Sequence, residues 1–373
     1  IKDLKDSSLL IKQVPIKHAV NVHERCGIEI EFVKSKQWFV RYLDLKNEML
    51  KWGEQLNWHP EFMKYRYNNW VNGLQWDWLI SNQRYFGVSF PVWYCAFCEE
   101  VILANEDQLP VDPQNEKPSL HSCPKCKSNK FIPEMDVLNT WFTSSMTPQI
   151  ATQLVSEKSM QENLFPMSLR PQAHEIISFW LFNTLIKSRL HFDKNPWKDI
   201  EISGFVTMQG EKMSKSKGNV IEPQTVLIKY GADALRFWAA SSKLGEDFDY
   251  QEKDLVTGQR TINKLWNSFK FCKIHFNNYK LKKVELEILD QWILYRLQNT
   301  IKVCTEGFES YEYSKAKNAI EYFFWKDFCD NYLEFVKYRL YSEGNSKEKE
   351  SALYTLYVSF LAVLKLFAPI MPY

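Results

Sequence analysis

The stretch DIEISGFVTMQGEKMSKSKGNVIEP, residues 199–223, changes character abruptly in the middle. From Asp199 to Met208 apolar and polar residues alternate, which predicts a strand with one buried face. Lys212 to Lys217 then place three lysines and two serines in six positions, between Gly210 and Gly218. No core strand or amphipathic helix has that composition. Lysine is a compact, mobile ammonium suited to phosphate oxygens whose charge changes, and Lys212 and Lys215 can both face one phosphate chain if the loop folds over it. Flanking glycines suit a backbone that opens and closes. A K/S-rich pentamer alone more often reads as a solvated basic turn. Here it follows a predicted strand and runs on into GNVIEP, which favours the phosphate reading.

Around this stretch, residues 136–250 alternate apolar helices with strands, the pattern of an α/β layer. Residues 76–135 are loop-rich and hold four cysteines. Residues 1–75 read as short strands such as GIEIEFV (27–33), then an amphipathic helix over 41–56. After DFDYQEKDL (247–255) the pattern turns helical. Leu289, Trp292, Ile293, Leu297, Ile301 and Cys304 recur at helical spacing and predict a buried face. Residues 313–340 and 350–367 predict two more long helices, with 277–287 as a linker and 341–350 as a solvated turn. No internal repeat or low-complexity tract interrupts this order.

The bulk numbers agree with a packed, multi-domain chain. There are 373 residues, 45% of them hydrophobic, with 15% aromatics and 14 tryptophans. A formal charge of +2 gives no compositional evidence for nucleic acid, so any basic surface must come from local arrangement. The apolar run near the end is broken by Lys365 and Pro369, which argues against a membrane span. No charged-then-apolar leader is seen, and a start and stop inside patterned segments suggests a piece of a longer protein.

Cys95-Ala-Phe-Cys98 and Cys123-Pro-Lys-Cys126 are C-x₂-C knuckles with 24 residues between them. Four thiolates at about 2.3 Å from one zinc require two tight turns facing each other, and each knuckle supplies one. Such a site is closed and structural, with no open position for chemistry. Buried free cysteines seldom adopt this spacing twice, and two pairs speak against a redox centre. Paired cysteines with a metal fit a reducing, cytoplasmic compartment better than disulfides do. His23-Glu-Arg-Cys26 is half of a second metal pattern, while Cys272, Cys304 and Cys329 fall on helical faces and read as core.

KMSKS, as it stands at Lys212–Ser216, matches the signature loop of class I aminoacyl-tRNA synthetases. The surroundings resemble the valyl/isoleucyl/leucyl subgroup, and within it the valine-specific members of archaeal type. The likeness covers nearly the whole chain. It is carried by QWDWLISNQRYFGVSFPVWYC (75–95), DVLNTWFTSSMTPQI (136–150), LRPQAHEIISFWLFNTLIKSRL (169–190), KYGADALRFW (229–238), DQWILYRLQNTI (290–301) and FFWKDFCDNYLEFVKYRLY (323–341). The resemblance implies an α/β chain, the second half of a Rossmann-like catalytic domain with a zinc-knuckle insertion, followed by an all-α helical bundle. It divides the sequence into the returning edge of an editing insertion with a connecting helix (1–75), a zinc-bearing connective segment (76–135), the catalytic half with the lysine loop (136–224), a stem-contact region (225–284) and the start of an anticodon-binding bundle (285–373).

The resemblance also implies a two-step reaction. Valine and ATP, with Mg²⁺, give valyl-adenylate and pyrophosphate, and the acyl group then passes to tRNA(Val). The substrate carboxylate is the nucleophile, so the protein aligns reactants and stabilises charge on the departing pyrophosphate. Lys212 and Lys215 take that role, Ser214 and Ser216 shape the loop, and the whole segment Lys212, Met213, Ser214, Lys215 and Ser216 is implied to bind ATP. Gln172 and His174 match positions near the ATP ribose. Trp141, Ile176 and Trp180 match the walls of the amino-acid pocket, where Ile176 and Trp180 at i, i+4 should share a helical face. Ordinary core packing is the competing fate of all three. Threonine is nearly isosteric with valine, and editing of mischarged threonine falls to the full-length enzyme.

Two departures stand out. Asn82 in LISNQRYFG occupies a position where the family usually has arginine, and no HIGH-like sequence is present. The isolated 373 residues are therefore expected not to form adenylate. The rival readings are an isoleucine-specific relative and a non-catalytic tRNA-binding protein. PVWYCAFCEEVILA and RPQAHEIISFW favour valine over the first, and an intact lysine pair disfavours the second. Trp325 and Tyr332 on the bundle suit base stacking, though core packing is the commoner fate of such residues.

Overall fold

A computed structural model describes residues 1–23, 26–31, 33–215, 218–277 and 279–373. The chain divides into two compact units, Ile1–Gln37 and Trp38–Tyr373. In the first, a short helix, Lys2–Asp6, is closed by the Ser7 hydroxyl donating to the Asp3 carbonyl at 2.6 Å. The strand expected over 27–33 reduces to one isolated bridge, Val22 to Glu29. The described residues of that stretch are all exposed, so within this unit the alternation has no sheet against which to bury a face.

The second unit is built around a parallel sheet. Strand Trp197–Ser203 lies between Asn57–His59 and Met167–Ala173 and runs parallel to both. Parallel neighbours need a crossover, and the chain from Ala173 returns to Trp197 through helix Phe182–Phe192. Leu181, Phe182, Leu185 and Ile186 of that crossover share one core with Trp58, Trp197, Ile200 and Ile202. The single strand expected over 199–208 is in fact two, Trp197–Ser203 and Val206–Met208, in different sheets. Gly204 separates them. A Cβ there would lie 2.1 Å from the Glu246 carbonyl oxygen, so only glycine lets the two backbones pass.

The α-helical face expected to carry both Ile176 and Trp180 is not formed. Residues His174–Ile176 make a 3₁₀ turn, and Ile177–Leu181 a π-helical turn before the regular helix begins. The i→i+5 closure inserts a residue and re-aims the side chains, a device frequent at functional sites.

From Glu252 onward the chain is helical. Helices Glu252–His275, Ile288–Glu309, Tyr313–Tyr322, Leu333–Leu340 and Lys347–Phe367 enclose one core, with a π-helical stretch at Phe323–Tyr332. Cys272, Cys304 and Cys329 are in that core, as expected. Leu289 and Trp292 are not. They are 41% and 36% exposed, and the inward position at the start of their helix belongs to Asp290. Asp290 is fully buried and accepts from Tyr332 Oη at 2.7 Å and Arg339 Nη1 at 2.6 Å. The apolar periodicity misled because an ion pair took the place of a hydrophobe. Tyr332 is thereby a core residue, and Trp325 is half-buried with its indole N–H donating to Thr261 Oγ1 at 3.3 Å. Lys347–Phe367 is long and apolar enough to cross a membrane by length and composition. In the fold its Ala352, Leu356, Phe360, Val363 and Phe367 pack in the bundle core.

Candidate functional site

The lysine segment begins as a tight hairpin. Strands Val206–Met208 and Glu211–Lys212 pair antiparallel across Gln209 and Gly210. Both turn residues have positive φ, 53° and 80°, the geometry of a two-residue turn whose twist matches that of the strands. Asp249, on the strand paired with Val206–Met208, secures the hairpin: its Oδ1 accepts from Gly210 N at 3.2 Å and Thr207 Oγ1 at 2.9 Å. The Gly210 amide, followed by the Thr207 hydroxyl, holds the Asp249 carboxyl below its usual range. Beyond the hairpin Asn219 ties the loop to itself. Its Oδ1 accepts from Ser214 N at 2.8 Å and its Nδ2 donates to the Lys212 carbonyl at 3.3 Å. Met213 and Ser214 are half-buried, Lys215 is exposed, and Ser216 lies outside the described residues.

The hairpin is set beside the start of the crossover. The Lys212 ammonium is 4.0 Å from the centroid of the Phe205 ring and ion-paired with Glu175. His174 packs its imidazole on the same Phe205 ring, centroid to centroid 4.4 Å, with Nε2 3.4 Å from Asp247 Oδ1. Asp247 also accepts from Phe205 N at 2.8 Å, and chiefly for that reason its carboxyl is held low. The structure thus brings Lys212 and His174 together around Phe205. Sequence reading missed Glu175, Phe205, Asp249 and Asn219; only the position of Asn219 directly after Gly218 hinted at a loop clamp. Gln172 is buried on strand Met167–Ala173, opposite Ile202, and its Oε1 has no hydrogen-bond partner among the described residues.

The three expected pocket residues separate into two groups. Trp141 lies in the first turn of the short helix Thr140–Ser144 and stacks on Phe179, with centroids 5.4 Å apart and planes 18° apart. Phe179 in turn meets Trp70 at 6.2 Å. Trp180 instead stacks on Trp197 at 5.1 Å, with the Arg170 guanidinium 3.3 Å from its centroid. Ile176 packs half-buried on the same core. The half-exposed aromatic surface is therefore Trp70, Phe179 and Trp141, and Trp180 lies in the core behind it. Asn139 caps the Trp141 helix, its Oδ1 accepting from Trp141 N at 2.8 Å, and its Nδ2 donates to Asn82 Oδ1 at 3.3 Å. Asn82 therefore acts on the helix cap below Trp141.

In the connective segment, strands Val92–Cys95, Val101–Leu103 and Phe131–Pro133 form an antiparallel sheet that presents both knuckles. Each knuckle closes alike. Glu99 N donates to the Cys95 carbonyl at 3.0 Å and Lys127 N to that of Cys123 at 2.9 Å, with Glu99 and Lys127 both at positive φ. The four Sγ atoms lie within 4.8 Å of one another, with Cys95 to Cys126 at 3.4 Å and Cys98 to Cys123 at 3.6 Å. Four sulfurs about 2.3 Å from one centre would sit about 3.8 Å apart, so the cluster fits a tetrahedral zinc. Backbone N–H groups of Cys98 and Phe97 lower the Cys95 thiol to about 6, whereas the Cys98 and Cys126 thiols are raised, so without a metal the cluster favours one thiolate and not four. His23 Nδ1 and Cys26 Sγ are 3.2 Å apart, but no third metal-ligating side chain joins them among the described residues.

Comparison with known proteins places the chain in a family. Residues 3–251 match the family described as tRNA synthetases class I (I, L, M and V), and residues 290–373 match the anticodon-binding domain of tRNA ligase. A protein of Thermoplasma volcanium named valine–tRNA ligase is 45% identical over 380 aligned residues. That alignment covers 100% of this chain and 48% of the relative, so the chain spans about half of that protein's length. Among solved structures, Mycobacterium tuberculosis methionyl-tRNA synthetase in complex with methionyl-adenylate superimposes with a TM-score of 0.68 at 17% identity, covering 95% of this chain and 64% of that one. The LeuRS of Agrobacterium radiobacter K84, in a ternary complex with tRNA and LeuAMS, gives 0.64 at 20% identity, covering 80% of this chain and 39% of that one. The chain belongs to the class I tRNA synthetases of the isoleucine, leucine, methionine and valine group.

Proposed function

We propose that this chain is the signature-loop half of the catalytic region and the start of the anticodon-binding bundle of a valine–tRNA ligase. The observation that carries the reading is the end-to-end similarity, at 45% identity, to a protein of that name, with the lysine hairpin standing beside the crossover. In this reading valine attacks the α-phosphorus of ATP through its own carboxylate. Lys212 and Lys215 steady the charge that grows on pyrophosphate, and Lys212 exchanges Glu175 for phosphate oxygens as the loop closes. His174, braced on Phe205 and Asp247, is the residue assigned to the ATP ribose, and its contact with the ring that also carries Lys212 supports that assignment. Trp141 with Phe179 offers the apolar wall for the isopropyl group. Cys95, Cys98, Cys123 and Cys126 would hold zinc, which as a closed tetrathiolate supplies structure and no chemistry.

The domain division at 75, 135, 224 and 284 follows from the same reading, with tRNA(Val) as partner of the bundle and Mg²⁺ arriving with ATP. Valine-dependent ATP–pyrophosphate exchange and charging of tRNA(Val) by the full-length protein test the proposal. Exchange with isoleucine exceeding that with valine would assign the isoleucine branch instead, and absence of exchange with any amino acid would leave a tRNA-binding protein.

A further inference from the structure

A lysine is buried where no carboxylate meets it. Lys187, on helix Phe182–Phe192, is 8% exposed, and its Nζ donates to the Phe142 carbonyl at 2.9 Å while standing 3.5 Å from the centroid of the Phe142 ring. Among the described residues its ammonium has no ion-pair partner, and such a group is costly to bury. Phe142 follows Trp141 in the helix Thr140–Ser144, which at 5 residues is too short to be stable by its own hydrogen bonds. That helix is fixed at its start by the Asn139 cap and nearer its end by two donors to the Phe142 carbonyl, Lys187 Nζ and Ser145 Oγ at 2.5 Å. A cation at a helix C-terminus also suits the helix dipole. The Trp141 ring is held by Phe179, which lies on the same crossover as Lys187.

We infer that Lys187 is a positioning residue, whose charged ammonium clamps the Trp141 turn and so sets the affinity for the aliphatic amino acid. The inference rests on the proposed ligase reading, with Trp141 as a pocket wall. Burial also pushes the Lys187 ammonium down to about 8, so its charge is lost within an accessible range. A neutral amine still reaches the carbonyl but forfeits attraction to the ring. Little else there titrates. Helices Thr140–Ser144 and Thr147–Gln153 and the turn Ile177–Leu181 carry no ionisable side chain. On its own helix Arg189 is engaged by Asn195 and Asp193, and His191 packs on Phe192. Across the helix, Tyr67 donates to the Met49 carbonyl, Asp199 pairs with His59, Glu201 accepts from Tyr313, and Arg170 lies on Trp180.

The test uses the full-length protein, with valine KM, ATP KM and kcat measured by pyrophosphate exchange from pH 7 to 9.5, and backbone hydrogen exchange measured over residues 139–146. Wild type should show valine KM rising on the order of tenfold with a midpoint near pH 8, at constant ATP KM. Lys187→Arg keeps a charge and should lose that alkaline rise. Lys187→Met should hold valine KM at its raised value throughout and speed exchange of the Trp141 turn. Unchanged exchange of that turn in Lys187→Met, or an alkaline rise that survives in Lys187→Arg, overturns the inference. Absence of valine-dependent exchange in wild type would instead remove the ligase reading, while the hydrogen-exchange comparison still decides whether Lys187 holds the turn.

Discussion

The ammonium of Lys212 rests on the carboxylate of Glu175, above the ring of Phe205. Both side chains of the ion pair are about half exposed, 48% and 43%, and pairs of this kind are worth only about 0–1 kcal/mol. The contact parks the lysine without trapping it, and a triphosphate outcompetes one carboxylate. Lys212→Met and Lys215→Met should each slow adenylate formation about 100-fold in the full-length protein while leaving valine KM within a few-fold. Rapid-quench measurement of adenylate checks this, and an undiminished rate in the double variant would remove the proposed role.

Asn82 and Asn139 give a second prediction. Asn139 caps the Trp141 helix, and losing an N-cap side chain costs about 0.5–2 kcal/mol. Asn139→Ala should therefore lower global stability by about that amount and raise valine KM more than ATP KM. Asn82→Ala removes only the 3.3 Å contact that orients the cap, so its effect should be the smaller of the two. Chemical denaturation alongside exchange kinetics compares them. Equal effects on the two KM values would mean that the cap supports the fold and not the wall.

Much of this architecture was legible in the sequence, for identifiable reasons. The paired knuckles are legible because their spacing fixes two facing turns, the long bundle helices because their apolar period repeats over many turns, and the lysine loop because a predicted strand precedes it and GNVIEP follows it. The π-helical turn at Ile177–Leu181 could not be foreseen, since one inserted residue leaves apolar periodicity ambiguous. For that reason Trp180 stacks on Trp197 in the core, and Phe179 stands at the Trp141 stack. Asp290 hid likewise, because a buried carboxylate is legible only once Arg339, 49 residues away, is seen to meet it. Glu175 and Phe205 carry no motif of their own and gain meaning only when the hairpin folds onto them.

The cysteine cluster predicts dependence of a local kind. Cys95 and Cys123 are buried while Cys126 is exposed, so a chelator has access from one side. Removing zinc should release one metal per chain and open residues 92–133 to proteolysis, leaving the melting of the helical bundle little changed. A colorimetric metal assay coupled to limited proteolysis reads both. A chain purified without zinc but resistant over this segment would count against the tetrathiolate.

Lys187 also makes a prediction about stability. Its ammonium titrates near 8 in the fold against 10.5 in an unfolded chain. Between those values the unfolded state binds more protons, so this group makes stability rise with pH across that window. Below pH 8 both states are protonated and the fold bears the full burial penalty, on the order of 3 kcal/mol. Lys187→Met should flatten that rise and be the more stable protein at pH 7. Urea unfolding at pH 7, 8 and 9.5 compares the two, and a wild-type stability that falls steadily over this range would contradict the assignment.

Asp290 and Arg339 carry the opposite expectation for a buried charge. The carboxylate is fully buried and accepts from Arg339 Nη1 at 2.6 Å, Arg339 Nη2 at 2.8 Å and Tyr332 Oη at 2.7 Å, with Ser351 Oγ donating as well. Removing one partner of such a pair leaves an uncompensated charge and costs about 3–5 kcal/mol. Arg339→Met should therefore destabilise the bundle severely. Replacing the pair together, Asp290→Leu with Arg339→Met, should recover much of the loss, because no charge is then left inside. Thermal unfolding of wild type, both single variants and the double variant gives the coupling energy directly. Additive single effects would show that the pair acts independently and that the bundle does not depend on its closure.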